Sequence, residues 1–261
     1  MSTDKIVSAA KLLADAWKSK EQIADFPADF KPADRAEAYA IQDEMAKLLG
    51  YEVAGWKLGV SSPGGLKALN MDGPVPGRMF KRDVKDSPAE WSKADFVGPV
   101  MEPEFAFNTK ADIVPREAAY TEVELAPLAD LYCAIEIAGN RAAMPAPPAF
   151  DGMMMIADDG GNAAFVVGPK IENWQDVDIP AVPCTLEFDG ALGAESLSGE
   201  ARCQPIWVLT WLANDLSARG ITLPAGSWVS TGSGTKPTPL GDAIETVGVF
   251  GELGKVVVKL V

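Results

Sequence analysis

The sequence predicts an α+β protein with a helical beginning and a β-rich remainder. Three observations carry that reading: helical apolar spacing before residue 50, short apolar runs bounded by turn-formers after about residue 95, and no strict alternation between the two. The last of these argues against a doubly wound sheet or a β/α barrel.

Ile6, Ala9, Ala10, Leu13 and Trp17 recur at helical spacing and predict a first amphipathic helix. A second helix carries its own punctuation: Asp34 can cap it, Glu37 follows three residues later, Ile41, Met45 and Leu48 form a stripe, and Gly50 ends it. Val53–Ser61 reads as a strand running into a Ser-Ser-Pro-Gly-Gly loop, and Gly73–Gly77 reads as a Pro/Gly turn. Further strands are expected over roughly 99–108, 130–138, 163–168, 182–189, 226–231, 243–250 and 255–261, with Asp189-Gly190 as a hairpin turn. One helix should begin near Thr121, where Glu124 completes a capping box, and another should span Pro205–Gly220. Residues 142–150 read as a loop. The expected organisation is a helical N-terminal part (1–75) and a β-rich catalytic body (76–261), forming one functional unit.

A chain of 261 residues can bury a full core, and 48% hydrophobic with 23% charged residues is ordinary for a globular protein. The net charge of −14 comes with no offsetting Lys/Arg cluster, so nucleic acid and anionic membrane surfaces are poor partners. Cys133, Cys184 and Cys203 are odd in number and widely spaced, which suits reduced thiols and a cytoplasmic setting. Met1–Lys20 is interrupted by charges and has no signal or spanning segment.

The chemistry concentrates in Glu102-Pro103-Glu104 and in Glu136. On strands, alternate residues share a face, so Glu102 and Glu104 project together. Two carboxylates at ~4 Å repel by ~4 kcal/mol at an effective dielectric near 20. Adding Glu136 makes a cation between them attractive, and oxygen-only ligands favour Mg²⁺, Mn²⁺ or Ca²⁺. The competing reading places these acids in water along half-exposed strands, with Met101, Phe105, Phe107, Cys133, Ile135 and Ile137 facing inward. The chain contains no histidine, so catalysis must use carboxylates, Lys, hydroxyls or a metal. Lys57, in an apolar strand flanked by Gly55 and Gly59, is either a snorkelling surface lysine or, if buried near a metal, a usable acid or base. Gly232-Ser233-Gly234-Thr235-Lys236-Pro237 lacks the Walker order, although its amides and hydroxyls suit a carboxylate. Asp158–Asn162 reads by default as a turn.

The ordered segments Ala38–Gln42, Gly55–Ser62, Met101–Phe107, Ala134–Ile137 with Arg141, Asp158–Gly168, Trp211–Asn214 and Gly226–Thr235 resemble the 2-keto-4-pentenoate hydratase / 4-oxalocrotonate decarboxylase family. This is a branch of the fumarylacetoacetate hydrolase superfamily. The resemblance spans roughly residues 35–240. It implies a mixed β-roll around one divalent metal, usually Mg²⁺ or Mn²⁺, with Glu102, Glu104 and Glu136 as ligands. It further implies Lys57 as proton shuttle assisted by Asp158, and Ser61, Asp159, Ser233 and Thr235 around the substrate. The family commonly has Asp-Asn where this chain has Asp158-Asp159, and the stretches 74–84 and 142–155 also depart from the pattern.

The implied activity is a lyase acting on a short 2-hydroxy-dienoate or 2-keto acid, as in meta-cleavage aromatic catabolism, in a symmetric homo-oligomer. Hydration comes first and decarboxylation of a 2-keto diacid second; the latter needs a distal cation, for which Arg78, Lys81 and Arg141 are candidates. Hydrolysis of an acylpyruvate is disfavoured by the lack of histidine, and a non-enzymatic ligand-binding protein is the remaining alternative.

Overall fold

The computed structural model describes residues 1–145 and 149–261, so part of the predicted 142–150 loop lies outside the described residues. Its elements in chain order are α1 (Thr3–Ser19), α2 (Arg35–Leu49), β1 (Val53–Gly59), α3 (Pro63–Ala68), β2 (Val75–Phe80), β3 (Val84–Asp86), β4 (Ala89–Trp91), β5 (Val100–Thr109), α4 (Glu122–Leu125), β6 (Ala129–Ala138), α5 (Gly152–Ala157), β7 (Asn162–Ile171), β8 (Cys184–Phe188), β9 (Ala191–Ala194), α6 (Pro205–Ala218), β10 (Trp228–Ser233), β11 (Thr238–Pro239), β12 (Glu245–Phe250) and β13 (Lys255–Leu260). Among the described residues no helix is long and apolar enough to cross a membrane.

The helix caps follow their sequence signals. The Asp34 carboxylate accepts from the Glu37 amide at 2.9 Å and Gly50 ends α2 at φ 66°. At α4 the Glu124 carboxylate accepts from the Thr121 amide while the Thr121 hydroxyl accepts from the Glu124 amide. Two predicted irregular segments are regular. Residues 63–68 form α3, because Ser62 caps its start by accepting from the Gly65 amide and Pro63 sits where no amide donor is needed. Residues 75–80 form β2 rather than a turn; this strand ends the sheet, where Pro76 and Gly77 are tolerated.

Two sheets organise the chain. The larger runs β2-β1-β10-β5-β6-β7-β3, with β11 beside β5; the smaller runs β4-β13-β12-β8-β9. One face of the larger sheet carries Met101, Phe105, Phe107, Cys133, Ile135 and Ile137 into the main core, against Leu186, Phe250, Val256 and Val258 of the smaller sheet and the α6 residues Val208, Leu209 and Leu212. The helices α1, α2 and α5 pack with Val75 and Phe80 in a second cluster.

The larger sheet curls until its two ends meet. Met79 on β2 and Phe165 and Val167 on β7 share one cluster with Ala106 and Ala134, and the Asn162 amide donates to Arg78 O at 2.8 Å. Trp228 stacks edge-on against Tyr132 with ring centroids 5.0 Å apart, both half-buried against that cluster. Val53–Gly59 and Val75–Phe80 are strands of this body sheet, so residues 53–75 are not purely helical.

Candidate active site

Register assembles the acidic residues. Glu102 lies directly opposite Glu136 across the β5–β6 pair, and Glu104 is two residues along β5 opposite Ala134. Direct cross-strand partners and alternate residues share a face, so all three carboxylates enter the interior of the roll. Glu104 and Glu136 are each 1% exposed and Glu102 is half-buried. The water-facing alternative therefore fails for the two innermost acids.

Pro103 shapes this corner. It lies mid-strand between two neighbours, and its carbonyl accepts from the Gly234 amide at 2.6 Å, so its missing N–H faces β10. There β10 bulges between Ser230 and Ser233, with Gly232 at φ 107°. The freed Gly232 amide donates to Glu104 Oε2 at 2.9 Å, and the Ser230 hydroxyl donates to the same oxygen. The sequence reading missed both partners, although Ser230 alternates with Trp228 in an inward register that could have marked it.

Lys57 on β1 reaches the same cluster. It is 2% exposed, its ammonium lies 2.7 Å from Glu136 Oε1, and it donates to Gly160 O at 2.7 Å. Glu136 Oε1 nonetheless accepts no aligned hydrogen bond among the described residues, which leaves a buried oxygen underused.

The electrostatics follow from burial and crowding. Burial and then the Glu136 charge push Glu102 up to about 7. Burial, Glu136 and Glu102 push Glu104 well above the usual carboxylate range, against the pull of Ser230 and Gly232. Burial works to lower Lys57, but Glu136, Glu102 and Glu104 together outweigh it and raise it. With all three carboxyls ionised, the set and the one ammonium would carry an excess of two negative charges, which a single dication would match.

The donor set fits a hard divalent ion in oxygen type, burial and shared face. Among the described residues, no three such side chains are already drawn close enough to hold an ion, and the Lys57 ammonium stands where a cation would compete for Glu136.

The remaining sequence candidates flank this cluster. The Ser61 hydroxyl donates to Thr231 O at 2.8 Å and packs on Gly232, where an added Cβ would sit 1.9 Å from Ser61 Oγ. The Ser233 hydroxyl donates to Thr235 O and the Thr235 hydroxyl to Lys236 O, so both are turned onto their own loop.

Asp158 is placed apart from the carboxylates. Its oxygens accept from the Arg141 amide at 2.7 Å, the Ala142 amide at 3.1 Å and Arg141 Nε at 2.6 Å. Full burial raises it despite the Arg141 charge. Its contacts hold the chain rather than aim a carboxylate at the cluster. Arg141→Met should cost about 3–5 kcal/mol, read as a fall in the urea midpoint, because it strands a buried carboxylate. Asp159 is 1% exposed, accepts from the Arg78 amide at 2.7 Å through Oδ1, and has a buried Oδ2 with no partner among the described residues; burial pushes it up to about 7.

Known proteins agree with this architecture. The 2-keto-4-pentenoate hydratase of Burkholderia vietnamiensis is 29% identical over 237 residues, covering 89% of this chain and 89% of its own. The 4-oxalocrotonate decarboxylase of Pseudomonas sp. CF600 is 24% identical over 243 residues, covering 92% and 90%. The chain is a homologue of these hydratases and decarboxylases. Those homologues are lyase-type enzymes. No family model matches the chain. The 4-oxalocrotonate decarboxylase of Pseudomonas putida G7, complexed with magnesium and adipate, superposes with a TM-score of 0.87 at 20% identity over 100% of this chain and 99% of its own. A Yersinia pestis protein described as a member of the fumarylacetoacetate hydrolase family superposes with a TM-score of 0.55 at 15% identity over 81% of this chain and 94% of its own, so the chain shares the α+β roll fold of these structures.

Proposed function

We propose that this protein is a divalent-metal-dependent hydratase adding water to a short 2-hydroxy-dienoate of the 2-keto-4-pentenoate type, giving a 4-hydroxy-2-oxo acid. The observation that carries the reading is the convergence of Glu102, Glu104, Glu136 and Lys57 on one buried face. Glu102, Glu104 and Glu136 would hold Mg²⁺ or Mn²⁺, which when bound supplies Lewis-acid polarisation of the substrate's C2 oxygen. Lys57 carries a proton to the far carbon of the dienol, giving an unsaturated ketone to which water adds. Ser61, Ser233 and Thr235 lie on the Gly232 side and are suited to turn toward the substrate carboxylate. Phe165, Ala106 and Ala134, on the same face as the acids, offer the hydrocarbon end an apolar wall.

One observation favours hydration over decarboxylation of a diacid. The three cations available for a distal carboxylate are committed elsewhere: Arg78 to Asp43 and Gln42, Lys81 to Glu52, and Arg141 to Asp158. A second anion would find no free charge among them. Purified protein with Mg²⁺ is expected to consume 2-hydroxypenta-2,4-dienoate, followed by loss of dienol absorbance, and to release little CO₂ from 4-oxalocrotonate. Turnover of the second substrate alone overturns the assignment.

A further inference from the structure

The turn joining α5 to β7 is fastened more heavily than a connection requires. Asp159, Gly160 and Gly161 are consecutively left-handed, at φ 54°, 63° and 72°. This places the Gly160 carbonyl on the Lys57 ammonium at 2.7 Å. An added Cβ at Gly160 would lie 3.0 Å from Lys57 Cδ, and one at Gly77, the cross-strand partner of Lys57, would lie 2.0 Å from Asp159 O. The turn thus lies flat over the Lys57–Gly77 pair, with no room between.

Side chains hold it there from three directions. Asp158 binds the Arg141 and Ala142 amides, and the Arg141 guanidinium returns to Asp158 O and Asn162 O. The Asp159 carboxylate accepts from the Arg78 amide at 2.7 Å, and the Asn162 amide donates to Arg78 O at 2.8 Å. The amide and carbonyl of one strand residue point the same way, so these two side chains occupy the place of a missing neighbour strand. They are the only described side chains bonded to the Arg78 backbone.

We propose that the 158–162 turn is a positioning device for Lys57, with Asp159 and Asn162 as positioning residues that fix the Gly160 carbonyl against its ammonium. This rests on the reading of Lys57 as proton carrier. One of the three ammonium protons is then directed at Gly160 O, with Glu136 as counter-charge 2.7 Å away, and the other two are not bonded to the turn. A misplacement near 1 Å at such a group costs about a hundredfold in rate.

The test uses the full chain in four variants: Asp159→Ala, Asp159→Asn, Asn162→Ala and Lys57→Met. In ¹⁵N-lysine spectra of the metal-free protein, one exchange-protected Nζ resonance should be present in wild type and missing in Lys57→Met. It should vanish in Asp159→Ala and in Asn162→Ala, and persist in Asp159→Asn, whose side-chain oxygen still accepts from Arg78. With Mg²⁺ and 2-hydroxypenta-2,4-dienoate, Asp159→Ala should lower kcat about tenfold to a hundredfold with KM within about twofold, and cost nothing further in the Lys57→Met background. The proposal is overturned if folded Asp159→Ala or Asn162→Ala keeps the protected resonance, or if kcat falls equally in both backgrounds. A wild type that turns over neither substrate sinks the hydratase assignment instead, and the spectra still decide the role of the turn.

Discussion

Glu104→Gln is expected to abolish saturable Mn²⁺ binding in isothermal titration and to lower kcat/KM by about a thousandfold or more, since the ion's polarising contribution is several kcal/mol and each 1.4 kcal/mol is about tenfold. Glutamine preserves the shape of the side chain and one acceptor oxygen for Ser230 and Gly232. It removes the ionisable carboxyl, and with it the anionic ligand, from a side chain only 1% exposed and crowded by two other acids. The same exchange should stabilise the metal-free protein, with a definite pH dependence. Glu104 is raised in the folded, metal-free protein by burial and by its acidic neighbours, so the unfolded chain gives up this proton first as pH rises above about 4.5. Wild type therefore loses stability relative to the glutamine variant as pH rises above that value, and the two should converge in acid. Melting temperatures at pH 5 and pH 8, without and with Mn²⁺, read this out. Equal Mn²⁺ affinity in both proteins, or none in either, would return the acids to a purely structural role.

Lys57→Met should lower turnover by about 10²- to 10⁴-fold, the usual contribution of a positioned proton donor, while Mn²⁺ binding persists. Methionine keeps the stem packed over Gly160 and deletes the ammonium. In the metal-free protein the loss leaves Glu136 buried without its counter-charge, a cost of up to about 3–5 kcal/mol. A dication competes with that ammonium for Glu136, so added Mn²⁺ should raise the melting temperature more in Lys57→Met than in wild type. Full turnover in the variant would remove Lys57 from the chemistry, whatever happens to stability.

The parts of the fold legible in the sequence were those governed by local rules. Asp34, Gly50 and the Thr121/Glu124 box marked helix ends through hydrogen bonds made within four residues. The β5 and β6 strands were readable from apolar runs, and the sharing of a face by Glu102 and Glu104 from period two alone. Their alignment with Glu136 needed the register, which no local pattern specifies. The strand β2 was hidden because Pro76 and Gly77 look like a turn; its edge is completed by Asp159 and Asn162, 80 residues and more away. Ser62-Pro63 was a readable helix start that the glycines after it masked. The burial of Lys57 contradicts the ordinary habit of lysine and depends on a carbonyl from the 158–162 turn. Asp158 could not be separated from the acidic cluster by sequence, since its partner Arg141 lies 17 residues earlier and no local pattern pairs the two.

The aromatic contact between Trp228 and Tyr132 has a corollary for stability. Both rings are half-exposed and, with Phe165 tilted against Trp228, they cover the small apolar cluster that holds Ala106 and Ala134. Cutting either ring back to alanine would let water reach that cluster instead of leaving a sealed void, so the loss belongs at the low end of the ~3–5 kcal/mol typical of such exchanges in a closed core.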